Sequence, residues 1–531
     1  MSGKNQFSNH DMKYPSQRMP IYAKNCVATS QPLAAQVGLQ ILQNGGNAVD
    51  AAIATAITLT VVEPTMNSLG SDVFAMVWDG KHLHGLNASG KSPHVWNRTH
   101  FARYKTMPQS GWDTVTVPGA VSGWLALAKE FGRLPFAQLF EQAINYAKNG
   151  FLVSPIVAEQ WQMYAKSFKN NPEFARAFLP KGRAPNAGEL FCFPQYAKTL
   201  EQVAQSKGKA FYEGEIAEKI AHYAKQEGAL LTLEDLKTHQ PHKAIPLKLN
   251  YRGYELYELP PNGQGLTVLI ALGILHYFDM HQYPVDSADS IHLQIEAMKL
   301  AFSDAKRYIA DPDFMQIKVE DLLTPEYLSQ RAKLIHKKRA QSPEYGIPHE
   351  QGTVYLTTSD SKGMMVSFIQ SHYLGFGSGV VIPDSGILMQ NRGACFTLEP
   401  GHPNEVAGNK LPFHTILPGF LFKDNKPLMS FGVMGGHMQA QGHVQVIVRL
   451  CDYQQNPQTV LDAPRWYISP DNKISLEASI HPKVIKELID RGHELVPSPT
   501  SIYGGGQAIY CLEEGYMAVS DPRKDGQAVG F

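Results

Sequence analysis

Two stretches of this chain are helical in pattern yet carry almost no charge on any face. Ala48 to Val61 is built mainly from Ala, Ile and Thr, and Leu266 to Phe278 is the longest apolar run. A helix with so few charges around its circumference has no face to offer water and must be packed on all sides. The second run is too short to cross a bilayer, which takes about 20 apolar residues. The chain therefore has to bury at least the Ala48 to Val61 helix whole. A length of 531 residues allows that, as about three domains or one large α/β unit.

Composition narrows the functional classes. Hydrophobic residues make up 43% and charged residues 18%, which excludes a disordered or fibrous chain. Lys+Arg and Asp+Glu both total 48, so the basic excess of a nucleic-acid binder is absent and no nucleic-acid partner is expected. The five cysteines, Cys26, Cys192, Cys395, Cys451 and Cys511, form neither a CxxC pattern nor a zinc spacing. A disulfide scaffold and a metal site are not expected, and a reducing compartment is the simpler setting. Met1 to Pro20 is polar, lacks the apolar core of a secretion signal, and reads as a loose arm. A cytoplasmic protein without a membrane partner is expected. No phosphate-binding loop or dinucleotide fingerprint stands in a strand-to-helix context, so no cofactor is expected.

Along the chain, a helix opens at Pro32 with Leu33, Val37, Ile41 and Leu42 at helical spacing and stops at Gly45-Gly46. Ala48–Val61 follows, closed by Glu63-Pro64. Val73 to Trp78 is a strand run that turns at Asp79-Gly80. Gly119 to Ala224 is mostly helical, for example Gly123–Lys129 and Phe136–Lys148. Ile245 to Leu259 reads as strands, and Pro260 to Gly265 is a loop that opens a helix. Ser290 to Arg307 is an amphipathic helix. From Arg331 to Gln351 the apolar pattern stops, as in a solvated connection. Beyond Gly352 strands and turns dominate. Leu428–Met434 is a strand ending in Gly435-Gly436, Gln441–Leu450 a helix beneath it, and Thr459–Trp466 a helix running into a turn. The order predicts sheets covered by helices in one compact unit, an α/β (α+β) fold.

The chemistry concentrates in one hairpin. Gly352 to Asp360 runs out, Ser361-Lys362-Gly363 turns, and Met364 to Ser371 runs back. Strict pairing about a turn over Asp360 to Gly363 sets Thr353 opposite Gln370, and one bulged residue sets it opposite Ser371. Two hydroxyls, Thr353 and Ser371, thus come close at the open end, where opposed Cβ atoms are about 4.5–5.5 Å apart. Spacing alone leaves an ordinary strand threonine the simpler reading. A threonine nucleophile needs a base, and none of the 20 histidines stands in a triad pattern. A threonine at a chain N-terminus brings its own base, because the α-amino pKa is about 7.7–8.0. That requires a cut between Gly352 and Thr353, which the weakly patterned stretch before it would tolerate.

At this point the sequence resembles the γ-glutamyltransferase family of N-terminal-nucleophile (Ntn) hydrolases, from about Val27 to Phe531. The matching stretches include Gly45-Gly46-Asn47-Ala48-Val49-Asp50-Ala51-Ala52, Val62-Glu63-Pro64, Val117-Pro118-Gly119-Ala120, Glu296-Ala297-Met298-Lys299-Leu300-Ala301-Phe302 and Ala310-Asp311-Pro312. They continue with Gly375-Phe376-Gly377-Ser378-Gly379, Pro383-Asp384-Ser385-Gly386-Ile387-Leu388, Gly435-Gly436 and Ser520-Asp521-Pro522-Arg523. The resemblance implies a four-layer αββα sandwich and a precursor that cuts itself before Thr353. It implies a large subunit of residues 1–352 and a small subunit of residues 353–531, joined as a heterodimer; whether two heterodimers associate is left open. Ser371 falls where the family keeps a second hydroxyl, and Gly435 and Gly436 match the pair whose N–H groups form the oxyanion hole. Glycines at a strand-to-helix turn let backbone donors approach a developing negative charge.

The sequence departs from the family where the γ-glutamyl group is held. The arginine of an Asp-Phe-Arg pattern is replaced in Asn87-Ala88-Ser89, and the aspartate of an Asp-Asp-Phe pattern in Ala394-Cys395-Phe396. A Ser-Ser pair becomes His414-Thr415, and the lid loop looks reduced. Loss of both ion partners disfavours γ-glutamyl recognition. Arg392 is a replacement cation suited to bidentate carboxylate binding, although sequence alone leaves a surface or structural salt bridge the simpler reading. Tyr373, His372, His414 and Thr415 are further pocket candidates, and Cys395 reads as a packed thiol. The variant pattern resembles the amidohydrolase and acylase branch. The expected reaction is hydrolysis of a small carboxylate-bearing amide, such as oxamate, through an acyl-enzyme on Thr353. A γ-glutamyl transferase with a rebuilt pocket, and a non-catalytic ligand-binding member, are the alternatives.

Overall fold

The computed structural model describes residues 16–341 and 352–531. The first helix is Pro32–Gln43, capped by the Gln31 side chain, and its chain leaves through Gly45 in the left-handed region at φ 89°. Ala48–Val62 follows with an Asn47/Asp50 capping box, and all of its side chains are buried. Gly265–Leu275 is likewise buried along its whole length. Ala48–Val62 is thus an interior helix as expected, and Gly265–Leu275 is a second one, with His276 and Tyr277 exposed beyond its end.

The burial is achieved by layers. One seven-stranded sheet has at its centre Cys26–Thr29, Gly352–Ser359, Met365–Tyr373 and Asp72–Trp78, in that spatial order. A second seven-stranded sheet is centred on Gly505–Leu512, Lys426–Met434 and Gly419–Lys423. Strand neighbours in both are antiparallel. Alternation along each strand divides the side chains between two faces. Phe74, Met76, Tyr355 and Ile369 point to the second sheet and meet Phe420, Phe422 and Ile509 in a middle core. Val73, Ala75, Val77 and Phe368 point the other way, into a core with Pro32–Gln43 and Ala48–Val62. Leu421, Phe431 and Val433 pack outward on Gly265–Leu275, Ala288–Tyr308 and Met438–Cys451. Helices, sheet, sheet, helices: this is the αββα sandwich. Strands buried on both faces explain why these runs are apolar without alternation, and all nine residues of Met365–Tyr373 are buried.

Three local expectations are corrected. Val354, not Thr353, pairs with Gln370, and the ladder shifts between Gly352 and Val354, where Gly352 pairs with Tyr373. The turn is thus centred one half-step later, on Lys362, with a bulge at the open end. The Thr459–Trp466 helix is shorter, Pro457–Asp462, and Trp466 opens a strand, Trp466–Ile468. Arg331 does not begin a solvated connection: it lies in the helix Pro325–Lys333 and pairs with Asp304 at 2.8 Å. The rest of that connection from 342 to 351, and the arm from 1 to 15, lie outside the described residues. The end of the arm is docked, because the Arg18 guanidinium donates to Ser520 Oγ at 2.9 Å and to the Asp521 carbonyl at 2.7 Å. The five cysteines are all free. Among the described residues, no helix is long and apolar enough to cross a membrane.

Candidate active site

Thr353 starts a central strand, and the bulge brings its hydroxyl 3.1 Å from Ser371 Oγ on the next strand. Thr353 is 2% exposed. A third side chain completes this contact. Gln439, in the first turn of Met438–Cys451, donates from Nε2 to Thr353 Oγ1 at 3.1 Å. Its orientation is not free, because Gln439 Oε1 accepts the Leu417 N–H at 2.9 Å. The amide must therefore present its N–H to the threonine oxygen, where a donor favours developing negative charge.

Gly435 and Gly436 turn the chain from the strand Lys426–Met434 into that same helix. Their φ angles, 124° and 54°, are ones a side chain rarely tolerates. Among the described residues, neither glycine N–H has a protein acceptor. Two free donors at the N-terminal end of a helix form an anion-binding turn. Gln264 braces it, donating from Nε2 to both the Gly436 carbonyl (3.0 Å) and the Thr415 carbonyl.

Arg392 completes the centre. Its guanidinium donates to Ser371 Oγ at 3.3 Å and to Thr415 Oγ1 at 2.9 Å, and lies 4.6 Å from the centroid of the Tyr373 ring. It is fully buried, its Nε has no partner, and no carboxylate of the described residues lies within 4.0 Å. The nearest compensation is through space, from Asp72, which is also fully buried. Burial pushes Asp72 up to about 7, against the pull of Arg392 and of the Gly119 and Gly90 N–H groups. His414 contacts Asp72 at 3.1 Å. The Ile416 N–H occupies His414 Nδ1, so Nε2 carries the proton and donates to the carboxylate. Burial, then Arg392, holds His414 well below its ordinary pKa, and it stays neutral.

A cavity of about 980 Å³ opens beside this centre. Tyr373 and Cys395, which flank Arg392, line it, as does His437, which follows Gly436. Burial raises the Cys395 thiol pKa, so it behaves as a packed thiol. Tyr373 holds a φ of 92°, in the left-handed region. The fold therefore brings Thr353, Ser371, Arg392, Tyr373 and Thr415 together, with Gly435 and Gly436 one helical turn from Gln439. His414 stands behind Asp72 rather than at the cavity wall. His372 faces away, with neither ring nitrogen partnered and a pKa lowered to about 3 by burial.

The family model for gamma-glutamyltranspeptidase matches residues 34–531. The chain belongs to this family. It is 37% identical over 522 residues to the glutathione hydrolase-like YwrD proenzyme of Bacillus subtilis, covering 96% of this chain and 99% of that one. It is 35% identical to the oxamate amidohydrolase proenzyme of Klebsiella pneumoniae, covering 94% and 97%. The solved cephalosporin acylase from Bacillus halodurans has a TM-score of 0.95 at 45% identity, covering 99% of both chains. The chain is an Ntn hydrolase or acylase proenzyme of the γ-glutamyltransferase family.

Asn87, where the resemblance implies that a carboxylate-binding arginine is absent, lies in an amide cluster. Asn87 Nδ2 donates to Asn262 Oδ1 at 2.8 Å, and Ser89 Oγ donates to Asn87 Oδ1 at 2.7 Å. Asn262 also donates to the Pro412 carbonyl at 2.7 Å, tying this cluster to the segment that carries His414. Glu399 is the one acid among the described residues lining the cavity. Sequence reading missed Gln439, Gln264, Asp72 and His437. Gln439 and His437 lie within three residues of Gly436, so proximity to the glycine pair was the available signal; Asp72 and Gln264 carried none.

Proposed function

We propose that this protein cuts itself between Gly352 and Thr353 and then hydrolyses amides that bear a carboxylate. The observation that carries the reading is Arg392: a buried guanidinium, without an ion partner among the described residues, one hydrogen bond from the hydroxyl beside the nucleophile. Burying a charge unpaired is costly, and a substrate carboxylate supplies the missing partner. In the uncut chain the Thr353 nitrogen is an amide and has no basic lone pair. Attack of Thr353 Oγ on the Gly352 carbonyl moves the acyl group from N to O and frees the α-amine. Water then hydrolyses the ester, leaving the Gly352 carboxylate and an N-terminal Thr353. In turnover the α-amine takes the Oγ proton as Oγ attacks the substrate carbonyl. The Gly435 and Gly436 N–H groups hold the oxyanion. The proton passes to the leaving amine, and water, deprotonated by the Thr353 α-amine, clears the acyl-enzyme.

Residues 1–352 and 353–531 both contribute strands to both sheets, so the cut leaves two pieces that complete each other's ladders. The relatives named for oxamate and for cephalosporins both fit an amide substrate, and the lack, among the described residues, of a cavity carboxylate other than Glu399 disfavours a γ-glutamyl amino group. Intact mass and N-terminal sequencing test the cut: the smaller fragment should begin Thr-Val-Tyr-Leu. Turnover of oxamate and of longer carboxylate amides, set against a γ-glutamyl anilide, tests the substrate. Preferred turnover of the anilide overturns the reading in favour of γ-glutamyl transfer, and a chain that stays uncut overturns the mechanism.

A further inference from the structure

The turn between the strands Asp72–Trp78 and Leu83–Ala88 gathers three side chains that can ligate a metal. Asp79, His82 and His84 each offer one donor atom, and the three atoms lie within 4.8 Å of one another. The hairpin holds them in place. Asp79 Oδ1 accepts the Lys81 and His82 N–H groups, both at 2.7 Å, and Oδ2 accepts from His84 Nε2 at 2.8 Å. Gly80, at φ 100°, lets the chain turn this tightly. His82 and His84 are two residues apart, and their rings stand 6.2 Å apart between centroids at 76°. The Phe131 ring, 5.1 Å from that of His84, limits its rotation. Water and ions reach all three groups: the Asp79 side chain is 27% exposed, that of His84 35%, and His82 is an exposed residue. Among the described residues, neither ring nitrogen of His82 makes a hydrogen bond.

Two imidazoles and one carboxylate are a donor set that zinc accepts when water fills the remaining position, whereas Mg²⁺ and Ca²⁺ prefer oxygen alone. Donors bound to a tetrahedral zinc lie about 3.4 Å apart, so His84 has to move only slightly from its present contact with Asp79. We propose that Asp79, His82 and His84 bind one divalent transition-metal ion of the zinc class. The ion takes the place of the His84 Nε2 proton, and the ring carries its proton on Nδ1 instead. A second group, His292, Glu296 and His493, lacks this freedom. There the Lys299 ammonium lies 2.9 Å from Glu296 Oε1, the Gln341 N–H occupies Oε2, and the two histidines bond each other at 2.7 Å. A cation already stands where the ion would go. The Asp79 turn lies at the opposite end of its strand from Asp72, about 20 Å away, so the ion clips the hairpin and has no part in the chemistry at Thr353.

The test uses the untagged full-length protein, stripped with a chelator, and Zn²⁺ as the probe. Calorimetry should show one Zn²⁺ per chain with a Kd of about 1 µM, unmoved by millimolar Mg²⁺. His82→Ala and His84→Ala should each weaken binding at least tenfold. Asp79→Asn, which keeps an oxygen to cap the turn but loses the second one, should do the same. Anomalous diffraction at the zinc edge should place the ion between the three side chains of the native protein. A Kd above about 0.1 mM, binding that survives all three substitutions, or an anomalous peak elsewhere means an adventitious ion only and overturns the proposal.

Discussion

Thr353 sits near the start of a strand, Gly352–Ser359, that has hydrogen-bonded neighbours on both sides further along, whereas the cavity near this centre is walled mainly by loops from residues 105–109 and 394–404 and by one helix. The first region is held by ladders and buried amides. The second is held by side-chain packing and contains the left-handed Tyr373 and two unsatisfied nitrogens on His437. Rigid strands place a nucleophile to within a fraction of an ångström, while loops change their side chains without disturbing the sheet. Ala394-Cys395-Phe396 lies in such a connection, whereas Asn87 and Ala88 belong to the strand Leu83–Ala88 of the same sheet as Thr353.

The contrast can be broken most sharply at the nucleophile. Thr353→Ala should leave a single uncut chain and lower turnover by about 10⁴-fold or more, whereas Thr353→Ser should still cut; a cut Ala variant would move the nucleophile elsewhere. The next largest effect is expected at the clamp. Arg392→Leu should cost about 2–5 kcal/mol of transition-state binding, roughly thirtyfold to a few thousandfold in kcat/KM, for carboxylate amides. Arg392→Lys should recover little of it, since the fork geometry is lost. Equal kcat/KM for charged and uncharged amides in the native enzyme would show that Arg392 is structural.

Gln439→Leu sharpens the comparison from the rigid side. Removing one donor to a charged oxygen is worth about 1.5–3 kcal/mol, so kcat should fall about ten- to hundredfold with KM little changed. A change confined to KM would place Gln439 with the substrate instead of with Thr353. The smallest effects are on stability. His437 binds its proton near 3 in the folded chain, against about 6.5 unfolded. Between those values the unfolded chain holds the extra proton, so His437 makes stability rise with pH. Asp72, at about 7 folded and about 3.9 unfolded, does the reverse: the folded chain holds the extra proton, and stability falls as pH rises through that window. Urea midpoints against pH should therefore climb less steeply in His437→Leu than in the native protein, and more steeply in Asp72→Asn. Curves parallel to the native one would mean that neither group keeps its shifted proton affinity.

Much of the fold was legible because it is written in local patterns. Charge-poor helices announce burial, Gly45-Gly46 and Asp79-Gly80 announce stops and turns, and the hairpin from Gly352 to Ser371 announces two hydroxyls at one end. The register was harder, since a one-residue difference in where the turn closes depends on a bulge that no residue type signals. The Thr459–Trp466 segment misled because a helical pattern does not say where tertiary pairing takes over; Trp466 is claimed by its strand partner Leu476.

The sequence by itself determined that the Ala48 to Val61 helix is interior and where the Thr353 to Ser371 hairpin lies, while the missing γ-glutamyl clamps are what its resemblance to the family implies. Only the tertiary structure decided that Arg392 has no ion partner among the described residues, that Asp72 and His414 stand behind it, and that Gln439 reaches Thr353. Helix and strand periods couple residues a few positions apart, but the Gln439–Thr353 contact joins residues 86 apart and Asp72–His414 residues 342 apart. Such contacts depend on how the layers stack, and the direction of a buried amide or the proton of a buried imidazole depends on the one neighbour it meets there.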